Sequence, residues 1–170
     1  MKPRLSPFAQ RGLTMLELCI AIAILAVLGA IAVPSLGARL DQQRLYTAAE
    51  ALLADINEAR FEAARQGRAL HVVMDSGDNW CWAVATQSAC PCGQAQTQAC
   101  ELRSARARDH GGVRLLQGQN LHLSATGQAE SPGSATLESR RGSRLRVDVQ
   151  ALGRARVCTL IGSASRYPAC

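Results

Sequence analysis

What the sequence lacks narrows its chemistry first. Aromatic residues make up only 4% of the 170 positions, so the 48% hydrophobic fraction rests on Ala, Leu, Val and Ile. No Gly-x-Ser-x-Gly elbow, phosphate-binding loop or His-Glu-x-x-His zinc-protease motif is present. The three histidines, His71, His110 and His122, are dispersed, with no spacing that makes ligands or catalytic groups converge. They read as ordinary surface or core residues. Nothing repeats internally. With no residue set to carry catalysis, the chain is expected not to be an enzyme and to need neither cofactor nor metal.

Acids are also missing from residues 1–12, where Lys2, Arg4 and Arg11 stand alone. An uncharged apolar stretch then follows from Leu18 to Ala38, long enough for the roughly 20 residues that cross a bilayer. The basic flank predicts a single pass through the inner membrane, with the remainder of the chain outside in the periplasm. A secretory signal is cut behind a shorter apolar region. Here the candidate processing site, Arg11-Gly12-Leu13, lies in front of it, and a cut there keeps the anchor on the mature chain.

Apolar positions continue at Leu45, Ala49, Leu52, Ile56, Ala59 and Ala63, spaced alternately by four and three, which is one face of an amphipathic helix. The opposite face carries five arginines and five acids and reads as a neutral solvated surface. Gly67 is the expected stop. Residues 13–66 thus predict one helix of about 80 Å at 1.5 Å per residue, with a bend at Pro34 where a backbone bond is lost. The expected divisions are a leader at 1–12, an apolar helix at 13–38, its amphipathic continuation at 39–67 and a β-rich head at 68–170.

Beyond Gly67 the period becomes alternating, with strand-like runs at 69–74, 80–85, 113–116, 121–124, 144–150 and 154–161. Asp75-Ser76-Gly77-Asp78, Gly111-Gly112 and Ser131-Pro132-Gly133 are turn signals between them. The fold class is therefore α+β: a long N-terminal hydrophobic helix packed on a C-terminal antiparallel sheet. Six cysteines lie in this head, an even number that suits disulfides in an oxidising compartment. The one-residue gap of Cys90-Pro91-Cys92 is too short for a usual zinc-ligand pair. Cys158 with Cys170 would close a C-terminal loop. Among Cys81, Cys90, Cys92 and Cys100, a Cys90–Cys92 bond is sterically poor and two cross-pairings remain, making residues 90–98 a stapled surface loop. Cys19, in the apolar run, reads as a small apolar residue.

The segment Arg11-Gly12-Leu13-Thr14-Met15-Leu16-Glu17-Leu18 resembles the prepilin motif of type IV pilins and type II secretion pseudopilins. That resemblance implies cleavage after Gly12 by a prepilin peptidase, N-methylation of Leu13, and a role for Glu17 in filament assembly, paired with a neighbouring subunit's N-terminal amine. Leu13 stands where the family usually has Phe. An unpaired carboxylate in an apolar span is costly, so a partner for Glu17 is expected on physical grounds as well. The expected partners are other major and minor pilins, met through the N-terminal helix.

The long helix, the β head and the late Gly153-Arg154-Ala155-Arg156-Val157-Cys158 segment look like the GspH/FimT group of minor pilins and pseudopilins. In members of that group involved in DNA uptake, a Gly-Arg-x-Arg motif is associated with DNA binding. The resemblance therefore assigns Arg154 and Arg156 to sequence-independent contact with double-stranded DNA, with Arg166 brought near if Cys158 pairs with Cys170. From Ser139 onward there are seven arginines against one acid, Asp148. Arginines facing solvent at a sheet edge, where they deter aggregation, are the competing explanation. A minor type IV pilin is the expected function and a GspH-like pseudopilin of a type II secretion system the alternative.

Overall fold

A computed structural model describes residues 14–92, 100–162 and 166–170, with the side chains of 31–35 left aside. The elements are helix α1 (Met15–Gln66) and strands β1 (Leu70–Asp75), β2 (Cys81–Ala85), β3 (Glu101–Arg106), β4 (Val113–Gly118), β5 (Leu121–Leu123), β6 (Gly133–Ser139), β7 (Arg144–Val149) and β8 (Ala155–Ile161). The chain divides into two compact units at Gly37/Ala38.

In the first unit, Met15, Leu16, Ile22 and Leu25 are each more than half exposed. An apolar surface on every side of a helix calls for an apolar environment or other helices around it. Among the described residues no helix is long and apolar enough to cross a membrane. The side chains of residues 31–35, that of Pro34 among them, fall within the apolar run and outside the described ones.

In the second unit, the predicted helical face is the one that packs: Leu45, Ala49, Leu52, Ile56 and Ala63 are fully buried, and Ala59 nearly so. α1 ends as its sequence foretells. Gly67 takes φ +62° and the Arg68 amide donates to the Ala63 carbonyl at 3.2 Å, the left-handed cap that glycine adopts without strain.

The expectation of a single sheet is corrected to two antiparallel four-stranded sheets, one ordered β3-β2-β1-β5 and the other β4-β6-β7-β8. Two strands escape the alternation test. β3 reads Glu-Leu-Arg-Ser-Ala-Arg and lies at a sheet edge, where it needs backbone pairing but no apolar face. β6 reads Gly-Ser-Ala-Thr-Leu-Glu-Ser and is mostly buried between β4 and β7, so its small side chains carry little hydrophobic signal. Both sheets and the helix share one core, with Val72, Trp82, Leu115, Leu137 and Val147 among its members.

The two tryptophans join these layers. They stack with centroids 5.3 Å apart, and their indole N–H groups diverge. Trp80 Nε1 donates to the Val113 carbonyl at 2.8 Å, tying one sheet to the start of the other. Trp82 Nε1 donates to Asp55 Oδ2 at 2.8 Å, tying the first sheet to α1. His110 completes the stack, 5.5 Å from Trp82, and burial there pushes its imidazole below the ordinary histidine range.

The acids of α1 are not merely solvated, as their even balance with arginines implied. Asp41 pairs with Arg141 at 3.3 Å, Asp55 with Arg103 at 3.3 Å, and Glu50 with Arg166 at 3.2 Å. Glu58 accepts from Arg103 Nη2 at 2.7 Å, and the ordinary positive charge of Arg103 is reinforced chiefly by that bond. Helical periodicity cannot reveal bonds to residues about 50 to 120 positions away.

Asp55→Ala strands a buried indole donor and is expected to lower the unfolding free energy by about 3 kcal/mol. Glu58→Ala, at an exposed pair, should cost less than about 1 kcal/mol. Urea denaturation of the two variants side by side checks the ranking.

Candidate functional site

Gly12 and Leu13, the predicted cleavage and methylation positions, lie outside the described residues. The description begins at Thr14, which caps α1: the Glu17 amide donates to Thr14 Oγ1 at 3.2 Å and the Leu18 amide to the Thr14 carbonyl at 3.1 Å. Thr-x-x-Glu is the capping-box spacing, and an acid in the first turn suits the helix dipole. The Glu17 carboxylate has no ion-pair partner among the described residues. It therefore remains free to meet a positive group from outside the chain, amid exposed Met15, Leu16 and Leu18.

The six head cysteines form three disulfides: Cys81–Cys92, Cys90–Cys100 and Cys158–Cys170, with Cα separations of 5.9, 6.0 and 5.0 Å. The first two interlock, which selects one of the two pairings left open by sequence. Cys81–Cys92 clamps the excursion after β2 onto that strand, which is buried on both faces, and Cys90–Cys100 closes the excursion on itself, residues 93–99 being outside the described ones. Cys19 is a free, exposed thiol.

The third disulfide shapes the chain's end. Thr159 on edge strand β8 receives a parallel bridge from Ala169, and the Cys170 amide donates to the Thr159 carbonyl at 3.1 Å. The tail then reaches α1. Tyr167 stands edge-on to Tyr46 with centroids 5.7 Å apart and donates its hydroxyl to Glu50 at 2.7 Å. Burial, then this bond, push the Tyr167 phenol up to about 12, so it stays a donor. Arg166 also bonds Glu50 and lies over the Tyr46 ring at 5.7 Å. Arg166 therefore already has an acidic partner on α1.

Gly153 makes the turn from β7 into β8. Its φ is +74°, and a Cβ there would stand 2.3 Å from the Gly127 carbonyl oxygen, so no other residue fits. Arg154 follows, exposed and just before β8, where the sequence had placed it inside the strand. It has no ion-pair partner among the described residues. Arg156 lies on β8, exposed and opposite Asp148 of β7, with its Nη2 4.0 Å from Asp148 Oδ2.

Sequence reasoning overlooked what stands beside them. Arg144, Arg146 and Asp148 alternate with buried Leu145, Val147 and Val149 along β7, so the three polar residues share the face turned away from the core. Arg146 Nε lies 2.8 Å from Asp148 Oδ1, and Arg144 Nε donates to Glu138 at 2.8 Å. The Arg-x-Arg-x-Asp alternation within the basic stretch was the available signal. Two shallow concavities of about 440 and 410 Å³ lie on this face and meet at Ser134 and Arg146, forming one trough across β6, β7 and β8.

The sequence profile of the type II transport protein GspH matches residues 48–153, and that of the prokaryotic N-terminal methylation motif matches residues 7–33. Among solved structures, the type IV minor pilin FimU of Pseudomonas aeruginosa is similar with a TM-score of 0.52 and 19% identity, over 68% of this chain and 89% of that one. The minor pseudopilin EpsH from the Type 2 Secretion System of Vibrio cholerae is similar with a TM-score of 0.51 and 16% identity, over 68% and 97%. At such identities the likeness is one of fold. No curated protein sequence matches significantly.

Removing the last disulfide by Cys158→Ser with Cys170→Ser should release the tail from β8 and α1. The chain-entropy argument for a loop of this length predicts a loss of about 3 kcal/mol, read from denaturant midpoints under oxidising conditions.

Proposed function

Because the chain belongs to the GspH family of type II transport proteins and carries the N-terminal methylation motif of pilin-like proteins, we propose that it is a minor type IV pilin that takes part in pilus assembly. In this reading a prepilin peptidase cuts after Gly12, Leu13 is methylated, and residues 13–38 anchor the subunit once in the inner membrane before it enters the filament. The head lies in the periplasm. Its role is structural and binding, not enzymatic. The observation that carries the reading is the pairing of an all-round apolar helix surface with a capped, unpartnered Glu17 at its head. Both features are unfavourable in an isolated chain, and both are relieved when sister helices pack and supply apolar contact and a positive amine.

The head adds capture of extracellular double-stranded DNA for uptake. Arg154 and Arg156 support this, since both are exposed and the first is unpaired. Guanidinium contacts to phosphate carry no base sequence and weaken steeply with salt. The family's description as type II transport proteins favours a second reading, a minor pseudopilin of a secretion filament. Deleting the gene separates the two: loss of pili and DNA uptake supports the pilus, and loss of exoprotein secretion supports the pseudopilus.

Glu17→Ala is expected to insert in the membrane normally yet fail to appear in sheared filaments; normal incorporation would count against the assembly role. Full-length protein in neutral detergent should bind duplex DNA without sequence preference. Arg154→Gln with Arg156→Gln should weaken binding and flatten the slope of log K against log salt by about two. Equal binding by wild type and the double variant would overturn the DNA reading.

A further inference from the structure

We propose that Asp148 is an internal competitor for nucleic-acid phosphate, set between two arginines, Arg146 and Arg156, that form a clamp in the trough beside the Gly-Arg-x-Arg turn. The proposal rests on the duplex-binding reading above and extends it from two residues to a site with its own built-in release.

The geometry is that of an occupied anion site. Arg146 is ion-paired with Asp148: its Nη2 donates to Oδ2 at 3.4 Å, and its Nε lies 2.8 Å from Oδ1 but is buried and makes no hydrogen bond. Arg156 approaches the same carboxylate from the neighbouring strand at 4.0 Å. Guanidinium pairs with carboxylate and phosphate alike, so Asp148 occupies a position that a phosphate oxygen would take. Arg156 retains most of its exposure and Arg146 about a third, whereas the Asp148 side chain is only 19% exposed. A phosphodiester arriving from solvent reaches the guanidiniums before it reaches the carboxylate.

Charge decides the consequence. Two guanidiniums with one carboxylate leave a single net positive charge where two would otherwise act. An incoming phosphate must compete with Asp148 for Arg146 and is repelled by the carboxylate as it does so. Binding is therefore weaker and shorter-lived than two free arginines would give, as suits a fibre that must hand DNA on after catching it. The ligand is the backbone of duplex DNA, not unstacked bases. Among the described residues no aromatic side chain lines the trough, and single-strand binding draws on aromatic stacking.

The test uses full-length protein in neutral detergent and a 30-base-pair duplex of arbitrary sequence, titrated from low to physiological salt. Asp148→Asn is expected to bind roughly three- to tenfold more tightly and to steepen the salt slope by about one, as one more phosphate contact does. Arg146→Gln should weaken binding, because Asp148 then faces the phosphates without its paired positive charge. Asp148→Asn binding no tighter than wild type, with an unchanged melting profile, overturns the proposal, as does an Arg146→Gln protein that binds like wild type. Should Asp148→Asn unfold the head, the Arg146→Gln result decides alone. If wild type does not bind duplex at all, the reading built on Arg154 and Arg156 falls and takes this one with it. If Arg154→Gln with Arg156→Gln weakens binding while the Arg146 and Asp148 variants change nothing, that reading stands and the competitor role of Asp148 is rejected.

Discussion

The head depends on two buried indoles having somewhere to send their N–H groups. Trp80 and Trp82 are too large to leave in water and too polar at one atom to bury unpaired. Each solves this by bonding to a different layer: Trp80 to the Val113 carbonyl in the second sheet, and Trp82 to the Asp55 carboxylate on α1. The same pair therefore supplies apolar mass to the core and fixes how the helix and the two sheets meet. Asp55 in turn is paired by Arg103 from β3, a strand with no apolar face of its own.

This anchoring divides the arginines into two populations. Arg103, Arg141 and Arg166 answer acids on α1 and bind the sheets and tail to the helix. The β7–β8 arginines have fewer acids to answer. Arg144 has Glu138, Arg146 and Arg156 have Asp148 between them, and Arg154 has none among the described residues. Positive charge left over on one sheet face follows from the acids being committed to the opposite side of the core. The phosphate binding proposed above draws on that surplus as well as on the two-arginine motif.

The N-terminal unit poses the complementary problem. Its start is well formed, with Thr14 capping the first turn, but its apolar side chains lack a cover among the described residues. A helix so composed is a component of something larger. The head brings its own core and three disulfides and needs no such neighbour to bury its apolar groups.

The sequence determined what is periodic or local: the buried face from Leu45 to Ala63, the stop at Gly67, and the six strands whose apolar residues alternate. Those features are set by interactions within a few residues along the chain, so composition and spacing reveal them. Tertiary structure alone decided the rest. It paired Cys81 with Cys92 and Cys90 with Cys100, admitted β3 and β6 through backbone ladders that need no apolar pattern, and split one expected sheet into two. It also drew Arg166 to Glu50 and set Asp148 between Arg146 and Arg156. Each of these joins groups distant in sequence or on neighbouring strands, and such meetings are fixed by the packing of the core, which no periodicity encodes.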